Sequence, residues 1–218
     1  MGIYSRHVLP RLLEAAMHEP RLGRFREPVL AHARGRVLEI GFGTGANLPW
    51  YPEAIRRIEI VEPDPAIGAR AAPHIAASGR QVITHRLPAE RLPFEAGSFD
   101  TVVSTFTLCS IPDVAAALGE VARVLRPDGQ FLFLEHGLAP DPGVARWQHR
   151  LTPLQKRIGG GCHLDRPVLE LLARAGLRAD PAVLEARYAP RLPRVVGWFT
   201  SGVARPAGVQ STSSRSLL

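Results

Sequence analysis

The sequence predicts an α/β fold in which a seven-stranded, mostly parallel sheet carries helices on both faces. Apolar segments typical of strands alternate with helical segments, short turns join them, and one of these turns is rich in glycine. At 218 residues the chain has the size of one domain with a full hydrophobic core. We therefore predict a single domain over residues 1–205 and a disordered tail over residues 206–218.

The first part of that domain, residues 1–34, is predicted to be helical. Apolar side chains recur at a roughly helical spacing through residues 3–18, with an interruption at Pro10, and a second helix is expected near residues 28–33. We interpret the first helix as packing over the edge of the sheet. A lid over a bound ligand is the alternative.

The second part, residues 35–137, is predicted to form the ligand-binding core. Its strands are expected near residues 36–41, 58–62, 81–85, 100–104 and 130–135, with helices between them. Ligands of open α/β sheets lie beyond the carboxyl ends of the strands, so the residues that follow these strands should share one site.

The third part, residues 138–166, departs from this alternation. It contains prolines, three adjacent glycines and histidines, which is typical of an excursion that binds or covers a ligand, and a short helix is expected near residues 143–151. A further helix over residues 165–175 and two strands near residues 183–188 and 195–203 complete the predicted fold.

The glycine-rich turn after the first strand indicates the kind of ligand. Glu39 precedes Gly41, Gly43 and Gly45, and Glu62 closes the next strand. Glycines carry no side chain, so a ligand can lie against the backbone, while Glu62 can accept hydrogen bonds from ribose hydroxyls. The spacing differs from G-x-G-x-x-G, which binds a pyrophosphate. An acidic side chain facing the turn suits a cation, so S-adenosylmethionine, with its sulfonium and ammonium groups, fits better than NAD.

Five motifs resemble, in order, those of the class I S-adenosylmethionine-dependent methyltransferases of the type-11 kind, which have a Rossmann-like sheet. They are Leu38–Gly45, Val61–Pro63, Ala89–Phe94, Gly97–Asp100 and Arg123–Gly129. The resemblance implies S-adenosylmethionine as cofactor and S-adenosylhomocysteine as its product. The implied cofactor-binding residues are Glu39, Gly41, Phe42, Gly43, Gly45, Asn47, Glu62, Pro63, Ala89, Glu90 and Thr105. Relatives usually carry Gly-Asp before the Ala-Glu pair, and this chain has Leu87-Pro88 instead.

A narrower similarity lies outside the cofactor motifs. Thr107–Ile111, Glu135–Gly137, Trp147-Gln148 and Gly161–Leu164 resemble a branch that includes the mammalian alkyl-thiol methyltransferases. This implies a small-molecule acceptor, with a thiol favoured. Methyltransferases of phosphatidylethanolamine and of ubiquinone or menaquinone precursors share the cofactor motifs, so a lipid or quinone acceptor is the alternative. A non-catalytic module that binds the cofactor or RNA is a second alternative.

Candidate catalytic and acceptor-binding residues follow the fourth and fifth strands or lie on the excursion. The thiolate is the nucleophile of a thiol acceptor, so a histidine acting as general base would help. The candidates for that role are His136, His149 and His163, for which a strand cap or an exposed loop histidine is the alternative. The candidates for binding the acceptor are Cys109, Glu135, Trp147 and Cys162, for which core packing or ion pairing is the alternative.

Cys162 beside His163, together with Cys109 and His136, is open to a metal-binding interpretation, but no C-x-x-C or H-x-x-x-H spacing supports it, so no metal site is predicted. The net charge is +7, but the arginines are scattered, so nucleic-acid binding is not expected. No apolar segment is long enough to span a membrane, and at most the basic N-terminus is expected to contact a membrane surface. With two cysteines and no recognisable secretory signal, a cytoplasmic protein is expected.

Overall fold

A computed structural model describes residues 4–208 of the chain, and its sheet is mostly parallel, as predicted. The strands are β1 (Val37–Ile40), β2 (Arg57–Val61), β3 (Gln81–His85), β4 (Phe99–Thr105), β5 (Leu125–His136), β6 (Leu177–Ala179), β7 (Glu185–Tyr188) and β8 (Trp198–Pro206). They lie in the order β3-β2-β1-β4-β5-β8-β6, and β7 also pairs with β8. Strands β1 to β5 are parallel, while β8 runs antiparallel to β5, β6 and β7.

The sheet contains eight described strands, one more than the sequence predicts. The additional strand is β6, which has 3 residues and is too short to produce a periodic pattern. The predicted tail begins at Pro206, but this residue ends β8 and pairs with Leu177. Ala207 and Gly208 form a turn after it, and residues 209–218 of the predicted tail lie outside the described residues, as does Ile3 of the predicted N-terminal helix.

Helices cover both faces of the sheet. They are α1 (Leu9–Met17), α2 (Pro20–Leu30), α3 (Pro65–Ser78), α4 (Val114–Val124), α5 (Pro142–Ile158) and α6 (Val168–Arg174), with a π-helical turn at Tyr4–Val8 and a 3₁₀ turn at Leu48–Trp50. Two of them differ from the expectation: α2 starts earlier, at a proline whose fixed φ suits the first helical turn, and α5 is longer. Within residues 4–208, no helix combines the length and the apolar character that crossing a membrane requires.

Two apolar clusters hold the helices on the sheet. On one face, Leu118 and Val121 of α4 and Leu172 of α6 pack with Phe131 and other strand residues. On the other face, Leu30 of α2 and Ala71 of α3 pack with Ile58, Ile60 and Val103. Because both faces are covered, the central strands β1 and β4 and most of β5 are buried, whereas β3 and β7 at the margins are more exposed.

The strand order fixes where a ligand can bind. The chain runs from β1 outward to β2 and β3, then returns to the other side of β1 with β4 and β5. Such a reversal opens a crevice at the carboxyl ends of the two central strands. The segments that follow β1, β2, β4 and β5 meet at this edge of the sheet.

Candidate functional site

One large cavity of about 980 Å³ lies at the carboxyl ends of these strands. Its two ends differ in chemistry. We call one the glycine end, which is lined by residues 41–44, 46–47, 62–64 and 88–90. We call the other the sulfur end, which is lined by Cys109, His136 and Cys162 together with apolar side chains such as Leu164 and Phe199. The volume is in the range of pockets that enclose a small molecule.

The backbone of the glycine-rich turn requires residues without side chains. Gly41, Gly43 and Gly45 have φ of 63°, 60° and 83°, which is the left-handed region that glycine tolerates best. At Gly41 space is also limiting, since a Cβ there would lie 2.0 Å from Cγ2 of Thr107. The Gly41 N–H donates to the Val61 carbonyl at 2.8 Å, which fixes the start of the turn against β2.

Glu62 reaches from the end of β2 into the glycine end. Its side chain accepts hydrogen bonds from the N–H of Gly43 at 2.8 Å and from the N–H of Asp64 at 3.0 Å. Burial raises the pKa of this carboxyl, although the two backbone N–H groups partly oppose the shift. Glu62 therefore lies beside the turn and lines the cavity.

Glu39 lies behind the turn instead of lining the cavity. It is 2% exposed, and its carboxylate accepts hydrogen bonds from Asn47 Nδ2 at 2.9 Å and from the Tyr51 hydroxyl at 2.6 Å. Burial raises its pKa to about 7. The sequence expectation was that Glu39 faces the ligand. In the structure Asn47 holds the Glu39 carboxylate and lines the cavity, whereas Glu39 does not.

Arg26 contributes a cation to the glycine end that the sequence reasoning missed. It lies on α2, is 2% exposed, and its Nε donates to Asn47 Oδ1 at 2.9 Å. Burial lowers its pKa to about 10, so it stays charged at neutral pH. Asn47 Nδ2 also donates to Thr105 Oγ1 at 3.0 Å. No sequence motif marks Arg26, and Tyr51 was missed for the same reason.

Most of the other predicted cofactor residues line the same cavity. Those that do are Gly41, Phe42, Gly43, Asn47, Glu62, Pro63, Ala89, Glu90 and Thr105. Pro88, which stands where relatives carry an aspartate, lines it as well. Glu90 accepts a hydrogen bond from the Asp113 N–H at 3.3 Å, which ties this wall to the start of α4. Gly45 shapes the turn from behind, as Glu39 does.

Helix α1 forms part of the cavity wall. Leu9, Leu13, Ala16 and Met17 line the cavity. The opposite side of the helix is held by Glu14, which forms ion pairs with Arg70 and His74 of α3. This position favours the lid interpretation of the N-terminal helix over packing on the sheet edge.

The sulfur end brings together three side chains from distant parts of the chain. Cys109 follows β4, His136 ends β5, and Cys162 follows α5. The two Sγ atoms and a ring nitrogen of His136 all lie within 4.8 Å of one another. The distance between Cys162 Sγ and His136 Nε2 is 3.2 Å. Both cysteines are buried and neither forms a disulfide.

Backbone contacts hold the two cysteine loops against each other. The His163 N–H donates to the Cys109 carbonyl at 2.9 Å, and His163 Nδ1 lies 3.1 Å from the same oxygen. The turn before Cys162 requires glycine, since Gly160 and Gly161 have φ of 62° and 88°. Arg166 donates to the carbonyls of Leu108 and Ile111, which fixes the loop after β4 from its other side.

The cluster also shifts the pKa values of its members. A hydrogen bond from Cys162, together with the neighbouring His136, holds the pKa of the Cys109 thiol well below its usual range, although burial opposes this. The pKa of Cys162 is raised, because its thiol is hydrogen-bonded to the Cys109 sulfur and is buried, and because a charge on Cys109 disfavours a second negative charge. Burial acts to lower the pKa of His136, but the Cys109 thiolate outweighs it, so that pKa is raised. His136 Nδ1 is buried and has no hydrogen-bond partner among the described residues.

Glu135 does not face the acceptor as predicted, because its carboxylate is turned away from the cavity. It is 0% exposed and accepts hydrogen bonds from Ser104 Oγ at 2.7 Å and from the N–H groups of Thr107 and Leu108 at 2.9 and 3.1 Å. Burial raises its pKa to about 8. Glu135 thus shapes the loop that carries Cys109.

Three other predicted residues of the excursion lie away from the cavity. Trp147 is 55% exposed on α5, where Arg150 stacks on its ring, because it occupies the outward side of that helix. His149 is exposed as well and pairs with Asp165 at 2.8 Å. His163 contacts the Cys109 backbone from behind. Of the three candidate histidines, the structure therefore brings only His136 to the cavity wall.

The chain is similar in sequence to known proteins. A family model described as a methyltransferase domain matches residues 38–133. The chain is 38% identical over 153 residues to thiol S-methyltransferase TMT1B of Homo sapiens, covering 67% of this chain and 62% of that protein. It is 32% identical over 181 residues to a phosphatidylethanolamine N-methyltransferase of Cereibacter sphaeroides, covering 81% of this chain and 83% of that protein. The chain spans about three fifths of the length of the thiol methyltransferases it matches.

The fold of the chain is similar to the folds of solved structures. A SAM-dependent methyltransferase of Thermotoga maritima superposes with a TM-score of 0.63 at 20% identity, covering 92% of this chain and 99% of that one. This likeness supports the predicted Rossmann-like sheet.

Proposed function

Because the chain belongs to the class I S-adenosylmethionine-dependent methyltransferases, we propose that it transfers the methyl group of this cofactor to a small-molecule acceptor, with a thiol as the preferred class. One observation supports this more than any other. A single cavity is lined at one end by the glycine-rich turn and Glu62, and at the other by two sulfurs and an imidazole in an apolar wall. Cofactor and acceptor can therefore meet without water between them.

The glycine end has groups for each part of the cofactor. Glu62 would exchange its hydrogen bond from the Gly43 N–H for the ribose hydroxyls. Arg26 would pair with the carboxylate of the methionine part, and Pro63 and Ala89 would pack on the adenine. A cofactor held by these residues would supply the methyl group, and the sulfur end of the same cavity would hold the acceptor. Glu39 acts as a positioning residue, since it holds Asn47 and the turn in place.

The reaction is an in-line displacement at the methyl carbon. The sulfur of the acceptor attacks as a thiolate, the new carbon–sulfur bond forms, and the bond to the sulfonium breaks to leave the neutral thioether of S-adenosylhomocysteine. The contribution of the protein is to align the two reactants, exclude water and take the proton from the thiol. Only His136 among the candidate histidines lines the cavity where that proton is lost.

The test uses the purified chain with methyl-labelled S-adenosylmethionine and a panel of acceptors. The panel contains alkanethiols, alcohols and amines of the same length, phosphatidylethanolamine in vesicles, and demethylated quinols. We expect label in the alkanethiols and none in the matched alcohols. Label confined to the lipid or the quinol would contradict a thiol acceptor but leave methyl transfer intact. Absence of S-adenosylhomocysteine binding in calorimetry would contradict the whole proposal.

An aminolipid is the second candidate acceptor, because the similarity to the Cereibacter sphaeroides phosphatidylethanolamine methyltransferase covers more of both chains than that to the thiol methyltransferase. Such an acceptor requires contact with a membrane surface. Flotation with vesicles at low salt separates the two candidates, since protein that stays wholly unbound argues against the lipid.

A cytoplasmic location is also proposed, and it fits the free state of both cysteines.

A further inference from the structure

We propose that Cys109, His136 and Cys162 form a zinc site whose open coordination position binds the sulfur of the acceptor. This inference rests on the proposed thiol methyl transfer and specifies how the acceptor is held and activated. It starts from the convergence of three ligand side chains on one point of the cavity wall, from three segments that are separate in sequence.

The types of the three side chains fit zinc. Thiolate sulfur and imidazole nitrogen are the ligands that zinc prefers, and sites with three protein ligands and one exchangeable position are those used in catalysis. Two thiolates and a neutral imidazole would balance the charge of the ion. This matters here because the sulfurs are buried and an unbalanced charge would be costly.

The distances also fit zinc. Zinc lies about 2.3 Å from sulfur and about 2.0–2.1 Å from nitrogen, so tetrahedral ligand atoms are about 3.5–3.8 Å apart. In the structure the three atoms lie within 4.8 Å of one another, and Cys162 Sγ is 3.2 Å from His136 Nε2. These separations are close to tetrahedral spacing, and the hydrogen bond from the His163 N–H to the Cys109 carbonyl holds the two cysteine loops against each other.

The fourth position would face the acceptor. All three residues line the cavity, so an ion held between them is reached from the cavity side. The rest of this wall is apolar, with Leu164 and Phe199 among its members. A thiol with an apolar chain matches this combination of a soft metal and a dry surface.

The proposed step balances in atoms and charge. In this site His136 is a zinc ligand, so the metal replaces the imidazole of the proposed function as the group that activates the thiol. On binding to zinc the thiol loses its proton to solvent, and the bound thiolate would present a lone pair to the methyl carbon. That pair forms the new carbon–sulfur bond, while the electrons of the breaking bond neutralise the sulfonium. The product is a neutral thioether, which is a weaker zinc ligand than a thiolate and leaves for the next acceptor.

The sequence predicts no metal site because local metal-binding spacings are missing. That criterion does not exclude a site whose ligands come from distant segments. Spacings such as C-x-x-C place two ligands on one turn, whereas here each ligand follows a different element. A disulfide between Cys109 and Cys162 is the competing use of the same sulfurs. It would give no role to His136, whose Nε2 lies 3.2 Å from Cys162 Sγ.

The first experiment measures metal content in the full chain. The protein is made in zinc-supplemented medium, purified under reducing conditions without a chelator or histidine tag, and analysed for transition metals by mass spectrometry. We expect about one zinc ion per chain. Cys109→Ala and Cys162→Ala should each lose it, while His149→Gln, a histidine of the same excursion outside the cluster, should keep it.

Circular dichroism and S-adenosylhomocysteine binding show that each variant is folded, so that loss of zinc is not loss of structure. Reduced wild-type protein without stoichiometric metal would overturn the inference. So would zinc that both cysteine variants retain, or recovery of a Cys109–Cys162 disulfide as the only state of freshly purified protein.

The second experiment detects the acceptor on the metal without turnover. Cobalt replaces zinc, and S-adenosylhomocysteine fills the cofactor position. We expect a thiolate-to-cobalt charge-transfer band that gains intensity when an alkanethiol is added and stays unchanged with the alcohol of the same length. A spectrum that does not change when the alkanethiol is added overturns the assignment of the open position to the acceptor.

Methylation assays separate this inference from the proposed function. If metal-depleted protein methylates thiols at the full rate, the zinc site is refuted while thiol methyl transfer stands. If zinc and cobalt behave as expected but no thiol is ever methylated, the proposed acceptor is refuted, and with it the catalytic role of the metal.

Discussion

The two ends of the cavity are built in different ways. The glycine end comes from one continuous turn, residues 41–44 and 46–47, and from the segments after the next two strands, residues 62–64 and 88–90. The sulfur end comes from three segments, and Cys109 and Cys162 are 53 residues apart in the numbering of the chain. Local geometry thus makes the first end, and long-range packing makes the second. We expect changes at the glycine end to weaken cofactor binding, and changes at the sulfur end to slow transfer while the cofactor still binds.

The largest effect is expected for His136→Ala. This variant removes the imidazole beside the acceptor, so turnover with an alkanethiol should fall roughly 10²–10⁴-fold, the range for loss of a group that handles the proton of the nucleophile. The dissociation constant of S-adenosylhomocysteine, measured by calorimetry, should stay the same. His149→Ala is the control and should leave turnover unchanged. If His136→Ala lost as much cofactor affinity as turnover, the two ends of the cavity would not have separate functions.

A change in the glycine-rich turn should affect the whole protein. Gly41→Ala adds a Cβ at a position with φ of 63° and 2.0 Å from Thr107. Left-handed strain and the clash together should lower the free energy of unfolding by about 2–4 kcal/mol. Urea denaturation measures this. Gly79→Ala, which has φ of 64° but nothing within 4 Å, isolates the strain and should cost less. Equal losses in the two variants would show that Thr107 does not limit the turn.

Glu62→Gln should act on cofactor affinity alone. The carboxylate that accepts hydrogen bonds from the ribose becomes a neutral amide, which should weaken binding about 10–100-fold, as expected for one hydrogen bond to a charged group. Calorimetry with S-adenosylhomocysteine measures the change. Glu95→Gln, an exposed acid remote from the cavity, serves as the matched control. Unaltered affinity in Glu62→Gln would remove this residue from the proposed ribose site.

The smallest expected effect is a dependence of cofactor affinity on pH, which arises from Glu39 behind the glycine-rich turn. Burial raises the pKa of Glu39 to about 7, and a cationic cofactor nearby favours its ionised form. Binding of S-adenosylmethionine should therefore lower that pKa and release a proton. Affinity should rise with pH, by at most about tenfold per unit, and level off above about pH 7. Glu39→Gln should lose this dependence, and a wild-type affinity that does not change across this range would exclude the linkage.

The same pKa shift has a consequence for stability without cofactor. The folded protein binds the Glu39 proton more tightly than the unfolded chain does, in which the pKa of a glutamate carboxyl is 4.5. The contribution of this group to the free energy of unfolding is thus greatest at low pH and decreases as the pH rises through about 7. Thermal denaturation of Glu39→Gln beside the wild type measures the difference.

The sequence predicted the glycine end well, and the reason is its locality. The spacing of Glu39, Gly41, Gly43 and Gly45 fixes both a strand and the turn after it, and Glu62 follows from the next strand in a parallel sheet. Spacing does not show how far a side chain lies from the cavity. In the structure Glu39 lies behind the turn, where Asn47 donates a hydrogen bond to it. Arg26 was not predicted because its contact with Asn47 depends on how α2 packs, which no local pattern encodes.

The sequence by itself determined the α/β class, the parallel core, the turn and the family, since each depends on residues within a few positions of one another. The tertiary structure alone decided that Cys109, His136 and Cys162 meet, that Glu135 and Trp147 face away from the cavity, and that α1 covers it. Those outcomes depend on the packing of α1 and α5 and on loops joined by single hydrogen bonds, and such contacts between distant segments leave no periodic signal in the chain.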